Sequence, residues 1–224
     1  MIRSMTGLSC MVLLLVLTAL PAKAQAPSPQ PLTAMQNYRQ GRDLEAMNRM
    51  GEANSYYNEV IRICLDEVSR NAATRDTYAA IAMTLVRQRR YADVITWGER
   101  ALRVFPDEYR VIEMMGEAFF YLDNYERSLS YMQRYANAMP QGERISVAYF
   151  FIGEIFRITE KFRHADIAYT TAVRIDPTLS LWWYRLGSVR EAVGDRRPAI
   201  EAYQQALRLN PNYREARSGL NRLQ

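Results

Sequence analysis

The chain has 224 residues, 49% of them hydrophobic, with 29 Lys+Arg against 24 Asp+Glu, two cysteines and one histidine. That length supplies one or two ordinary domains. Two cysteines exclude a disulfide framework, and one histidine excludes His-rich zinc sites and leaves little room for histidine-based catalysis.

Residues 1–24 read as a bacterial-type secretory signal. Arg3 gives a basic start, the stretch from Leu8 to Leu20 is almost wholly apolar, and Pro21-Ala22-Lys23-Ala24 offers a small-x-small cleavage site after Ala24. The apolar run falls short of the roughly 20 residues that span a bilayer, so no stable membrane insertion is expected after cleavage. An uncleaved anchor is the competing reading. Cys10 lies at the head of the apolar run instead of after it, unlike a lipid-modified cysteine, so only Cys64 remains in the mature chain. The expected location is periplasmic or secreted. Loss of Arg3 and Lys23 leaves 27 basic against 24 acidic residues, and Lys161 is then the only lysine. Arginines alternate with acids, as in Arg39, Arg42, Asp43 and Glu45, which describes a solvated helical surface and argues against nucleic acid binding.

Residues 25–33, QAPSPQPLT, carry three prolines and are expected to form a short disordered lead. From Ala34 onward apolar residues recur at steps of three and four, which predicts an all-α body. The helical pattern also repeats. Pro106 and Pro140 lie 34 residues apart, as do Pro177 and Pro211, Gly153 and Gly187, Ala165 and Ala199, and Tyr169 and Tyr203. In the last copy, Trp183, Leu186 and Arg190 share one helical face, and Ala199, Tyr203 and Ala206 share another. Folding over the Gly194-Asp195 turn brings Gly187 to the second helix, where a missing side chain is expected to let backbones approach. Asp195 is expected to cap the second helix, Pro198 fits its first turn, and Pro211 stops it.

This pattern resembles the tetratricopeptide repeat, a helix-turn-helix unit of 34 residues. The resemblance rests on Trp183, Leu186, Gly187, Gly194-Asp195, Ala199, Tyr203, Ala206 and Pro211, and one unit earlier on Tyr149, Ile152, Gly153, Phe156, Phe162, Ala165, Tyr169, Ala172 and Pro177. It implies a right-handed superhelical solenoid of about five repeats over residues 34–224: 34–67, 75–108, 109–142, 146–179 and 180–213, with a capping helix at 214–224. The first repeat is degenerate, with Asn37 where the family has an aromatic residue. Extra residues around 67–73 and 140–145 interrupt the period.

Few residues carry chemistry. His164 reads as a surface histidine, and Cys64, beside Val60 and Ile61 on an apolar stripe, as an inert buried thiol. Glu113 and Glu117 lie one helical turn apart; an acidic patch is favoured over a metal-dependent hydrolase site. No enzyme activity, cofactor or metal is expected.

The resemblance further implies that the first helix of each pair lines a concave groove. The groove residues would be Tyr38, Arg42, Met83, Arg87, Glu113, Glu117, Phe120, Tyr121, Phe150, Glu154, Arg157, Tyr184, Ser188 and Glu191. Tyrosines and arginines in that mixture suit an extended peptide or a partner helix. The expected function is a non-enzymatic scaffold of the periplasm or cell envelope that binds a protein or peptide partner. The alternative is a ligand- or lipid-binding accessory of a transport system. In the run Val147–Phe156, core packing uses Tyr149, Ile152 and Phe156, leaving Phe150 or Phe151 surplus to line an apolar cavity or interface. No feature sets an oligomeric state.

Overall fold

The computed structural model describes residues 32–224. The expected signal and nearly all of the proline-rich lead lie outside the described residues. Within them the chain forms eleven α-helices and no strand. They run as five antiparallel pairs and a final helix: α1 (Ala34–Ala46) with α2 (Met50–Ser69), α3 (Arg75–Arg87) with α4 (Tyr91–Val104), α5 (Tyr109–Tyr121) with α6 (Tyr125–Ala138), α7 (Ile145–Ile158) with α8 (Phe162–Ile175), α9 (Ser180–Ala192) with α10 (Arg196–Leu209), and α11 (Arg214–Leu223).

Local chemistry starts and stops these helices. Thr33, at the end of the lead, forms a capping box with Gln36 at the head of α1, and Thr74 does the same with Thr77 at α3. Asn124 caps α6 by accepting from the Arg127 backbone amide. Asp195 does not cap α10 as expected; its carboxylate instead pairs with Arg163 of the preceding hairpin. Each hairpin turns through one residue in the left-handed region: Asn48, Arg89, Asp123, Glu160 and Gly194. Only the fifth turn uses the glycine that this geometry favours. The extra residues after position 67 extend α2 to 20 residues, against 13 for α1.

Packing is by neighbour, as in a solenoid. Each helix contacts the next, and the first helices also meet one another, α1 on α3, α3 on α5 and α5 on α7, so they line one side together. Small residues at the pair crossings are fully buried, including Ala53, Ala101, Ala165 and Ala199. Gly187 and Gly41 do not serve backbone contact. A Cβ on Gly187 would lie 2.7 Å from the ring of Tyr203, and one on Gly41 would lie 2.6 Å from Tyr57, so each glycine is the seat of a tyrosine ring. In the last pair Trp182, not Trp183, is the buried indole; Trp183 is half-buried and donates to the Pro177 carbonyl at 2.9 Å. Asn37 is buried where an aromatic residue was expected, and its amide donates to the carbonyls of Leu32 and Thr33, holding the chain as it enters α1.

Candidate functional site

The first helices of pairs one to three wall a cleft of about 460 Å³. α1 contributes Tyr38 and Glu45, α3 contributes Met83, Val86 and Arg87, and α5 contributes Tyr109, Glu113, Glu117 and Tyr121. The loop between α6 and α7 adds Glu143 and Arg144 to the lining. That volume lies within the roughly 300–1,000 Å³ of ordinary ligand pockets.

Arg144 organises the floor. Its guanidinium donates to both oxygens of Glu113, at 2.8 and 3.0 Å, and to Glu117 at 3.1 Å. Glu113 is only 1% exposed. Burial raises both carboxyls above the usual range, Arg144 opposing it in each case, and the mutual proximity of the two carboxylates raises Glu113 further. Arg144 holds these two carboxylates together with charge-assisted hydrogen bonds, so they are ion-paired to a protein group and not poised around a metal. Among the described residues there is no cluster of three or more His, Cys, Asp or Glu side chains arranged to hold a metal ion. Tyr91 and Tyr121 stack at the cleft wall, with ring centroids 4.6 Å apart and planes at 14°.

Six of the sequence-predicted groove residues meet in this cleft: Tyr38, Met83, Arg87, Glu113, Glu117 and Tyr121. The others lie elsewhere. Arg42 is exposed and pairs with its neighbour Asp43. Glu154 is buried and accepts from Tyr169 and Arg157, with Arg185 at 2.9 Å. Glu191 is held by Tyr203 and by Arg222 of α11. Tyr184 packs against Tyr203 and Tyr213, and Ser188 is half-buried. Phe120 sits edge-on to Phe151.

One expectation about the apolar run needs correction. Phe151 is buried at 6% exposure, and Phe150 stacks on Trp182 with centroids 5.1 Å apart. Neither is surplus, because Trp182 and Phe120 supply partners that a single helix pattern does not reveal. Tyr149 and Phe156, assigned to the core, are half-buried and pack against it. Cys64 is fully buried, and burial pushes its thiol up to about 12. His164 is exposed beside Phe156.

Sequence reading missed Arg144, Glu45, Tyr91 and Tyr109. The signal for Arg144 was its place in the extra residues around 140–145, which break the period. Glu45, Tyr91 and Tyr109 lie at helix ends, where a periodic pattern does not say which way a side chain turns.

Comparison with known proteins bears on this fold. Residues 146–179 and 180–213 each match the tetratricopeptide repeat family. Over 102 residues, 44% of this chain, it is 30% identical to the peroxisomal targeting signal receptor of Kluyveromyces lactis, and the match spans only 18% of that receptor's length. The chain is similar to the solved structure of MamA from Desulfovibrio magneticus RS-1, with TM-score 0.57 and 18% identity over 81% of this chain and 97% of that one. It is also similar to YrrB, a tetratricopeptide repeat protein with an unusual peptide-binding site, with TM-score 0.57 and 18% identity over 84% of this chain and 92% of that one. Two matched repeats, residues 146–213, within a stack of five hairpins give the chain a tetratricopeptide-repeat fold.

Proposed function

We propose that the chain is a scaffold for protein–protein interaction, that it binds an extended peptide or a partner helix along the side lined by its first helices, without catalysis, and that it does so after export, in the periplasm or cell envelope. The observation that carries the reading is the cleft itself. It gathers tyrosines and charged groups from three successive hairpins into one concavity where a partner's side chains can be desolvated. Tyrosines give rigid contact area at low entropic cost, and the ionic floor gives orientation. The unusual peptide-binding site of the structurally similar YrrB is a precedent for the mode. Export is supported by the basic, apolar and small-x-small pattern of residues 1–24. The ligand- or lipid-binding alternative drew on a surplus Phe150, which stacks on Trp182.

Two experiments test the two parts. Pull-down from envelope extract with the full chain and with a Tyr121→Ala, Tyr38→Ala double variant should show a partner retained by the first and lost by the second. Equal capture by both sinks the groove. Mass spectrometry of the exported protein should find its N-terminus at Gln25, and a protein confined to the cytoplasm with residue 1 intact sinks the export reading.

A further inference from the structure

Carboxylates on three of the first helices are capped by a tyrosine of their own hairpin. Tyr57 donates to Glu45 at 2.6 Å, Tyr169 donates to Glu154, and Tyr203 donates to Glu191. Each tyrosine follows by sixteen positions the glycine on which its ring sits: Gly41, Gly153 and Gly187. The third hairpin keeps that glycine, Gly116, with Glu117 directly after it just as Glu154 follows Gly153. Sixteen positions on, however, stands Met132, whose side chain fills the space over Gly116 at 3.1 Å. A thioether has no proton to donate. Glu117 is therefore left with one hydrogen bond, on Oε2 from Arg144, whose guanidinium already serves both oxygens of Glu113.

Several other charged groups line the cleft. Glu45, Glu113 and Glu117 share its interior with Arg87 and Arg144. Arg110, also in the lining, is turned away onto Glu108 and Asp76; Arg89 and Glu143 are exposed and line the cleft as well, and the Arg89 charge acts on both Tyr91 and Tyr121. The stacked pair Tyr91 and Tyr121 stands on the same wall, and a tyrosine ring face attracts a cation within about 6 Å.

We propose that the cleft is a subsite for a positively charged side chain, lysine or arginine, of an extended partner peptide, its cation seated between Oε1 of Glu117 and the Tyr91–Tyr121 stack. This rests on the peptide-binding reading above and adds the chemistry that selects the peptide. The third hairpin departs from the tyrosine pattern, and the departure leaves an acceptor open to the partner.

The test is selection of a displayed random heptapeptide library on the immobilised full chain, followed by titration of selected peptides. Enriched sequences are expected to share a Lys or Arg, and replacing it by norleucine or citrulline should weaken binding at least tenfold. Glu117→Gln should cost the same factor. Met132→Tyr, which installs the hydroxyl that Glu117 lacks on a glycine seat already used in the sister hairpins, should do likewise. Thermal melts of both variants report whether they fold, and two variants of different chemistry guard against one failing to. Selected peptides without a shared basic residue, or affinities unchanged within twofold by norleucine, Glu117→Gln and Met132→Tyr, overturn the proposal. If Tyr121→Ala still abolishes binding in that case, the groove reading survives alone. If no peptide is enriched, or binding ignores Tyr121→Ala as well, both fall.

Discussion

Gly153 and Tyr169 are placed so that a Cβ on the glycine would stand 2.6 Å from two carbons of the tyrosine ring. The ring is fully buried, and its hydroxyl reaches Glu154, the residue next to the glycine. One helix therefore carries a flat seat and a polar anchor side by side, and the other carries the ring that uses both. Gly187 and Tyr203 repeat the seat, with the anchor, Glu191, one turn further on, and Gly219 of α11 packs on Tyr203 as well.

Filling that seat should be costly. Gly153→Val is expected to destabilise the chain by about 1–3 kcal/mol, the usual range for overpacking a tight core, because a ring packed on both sides cannot swing clear. Gly51→Ala is the control, since nothing stands within 4 Å of the added methyl. Urea melts of the two variants should separate them, and equal midpoints would contradict a seat of this kind.

Removing Arg144 should expose the cost of the buried carboxylates. Arg144→Ala is expected to lose about 3 kcal/mol, the low end for breaking a buried pair, because Arg144 itself keeps a third of its exposure. The sign of its pH dependence is fixed by burial, which raises the carboxyl of Glu113 already in the native chain. A carboxyl raised in the folded state is stabilised as pH falls toward its unfolded value of about 4.3. The deficit of Arg144→Ala should therefore shrink between pH 8 and pH 5. A deficit that is constant, or that grows on acidification, contradicts the assignment.

The cap helix should respond to acid in the opposite sense. Hydrogen bonding from Arg222 holds Glu191 below the usual carboxylate range, with Tyr203 adding to it. A depressed carboxyl contributes stability above its unfolded value, and that contribution is lost as pH falls through the folded value. The pair is largely solvated, with Arg222 more than half exposed, so its contribution stays below about 1 kcal/mol. The melting temperature of Glu191→Gln should fall short of the parent at pH 7 and converge with it as pH drops through the folded value of Glu191.

Glu160 turns the fourth hairpin at φ 57°, where the fifth uses Gly194. A left-handed residue with a side chain costs roughly 1–2 kcal/mol, and glycine returns part of the relief through its unfolded-state entropy. Glu160→Gly is expected to gain up to about 1 kcal/mol in urea unfolding, and a loss would show that the carboxylate has a stabilising role at the turn.

The 34-residue period, the helix pairs and the glycines, alanines and prolines that shape them were legible along the chain. Each reflects a local rule: helical periodicity, turn chemistry, or a small residue at a crossing. A third of the cleft was legible too, because the first helices of stacked pairs share one side. The remainder depended on partners far apart in sequence. Arg144 comes from an irregular loop and closes on Glu113, 31 residues earlier. Trp182 takes up Phe150 from the preceding hairpin. Asn37 replaces an aromatic residue because its amide finds two carbonyls at the chain's entry.

By itself the sequence determined an all-helical repeat, since the spacing of apolar and small residues is a property of each helix and its neighbour. Tertiary structure alone decided which charged groups neutralise one another and which acceptor stays free. Glutamates that look alike along the chain are set apart only by what the folded neighbours bring to them: a tyrosine hydroxyl at Glu154, and a methionine near Glu117. Coulombic and hydrogen-bond energies depend on separations of a few ångströms in space, and a linear pattern does not carry those distances.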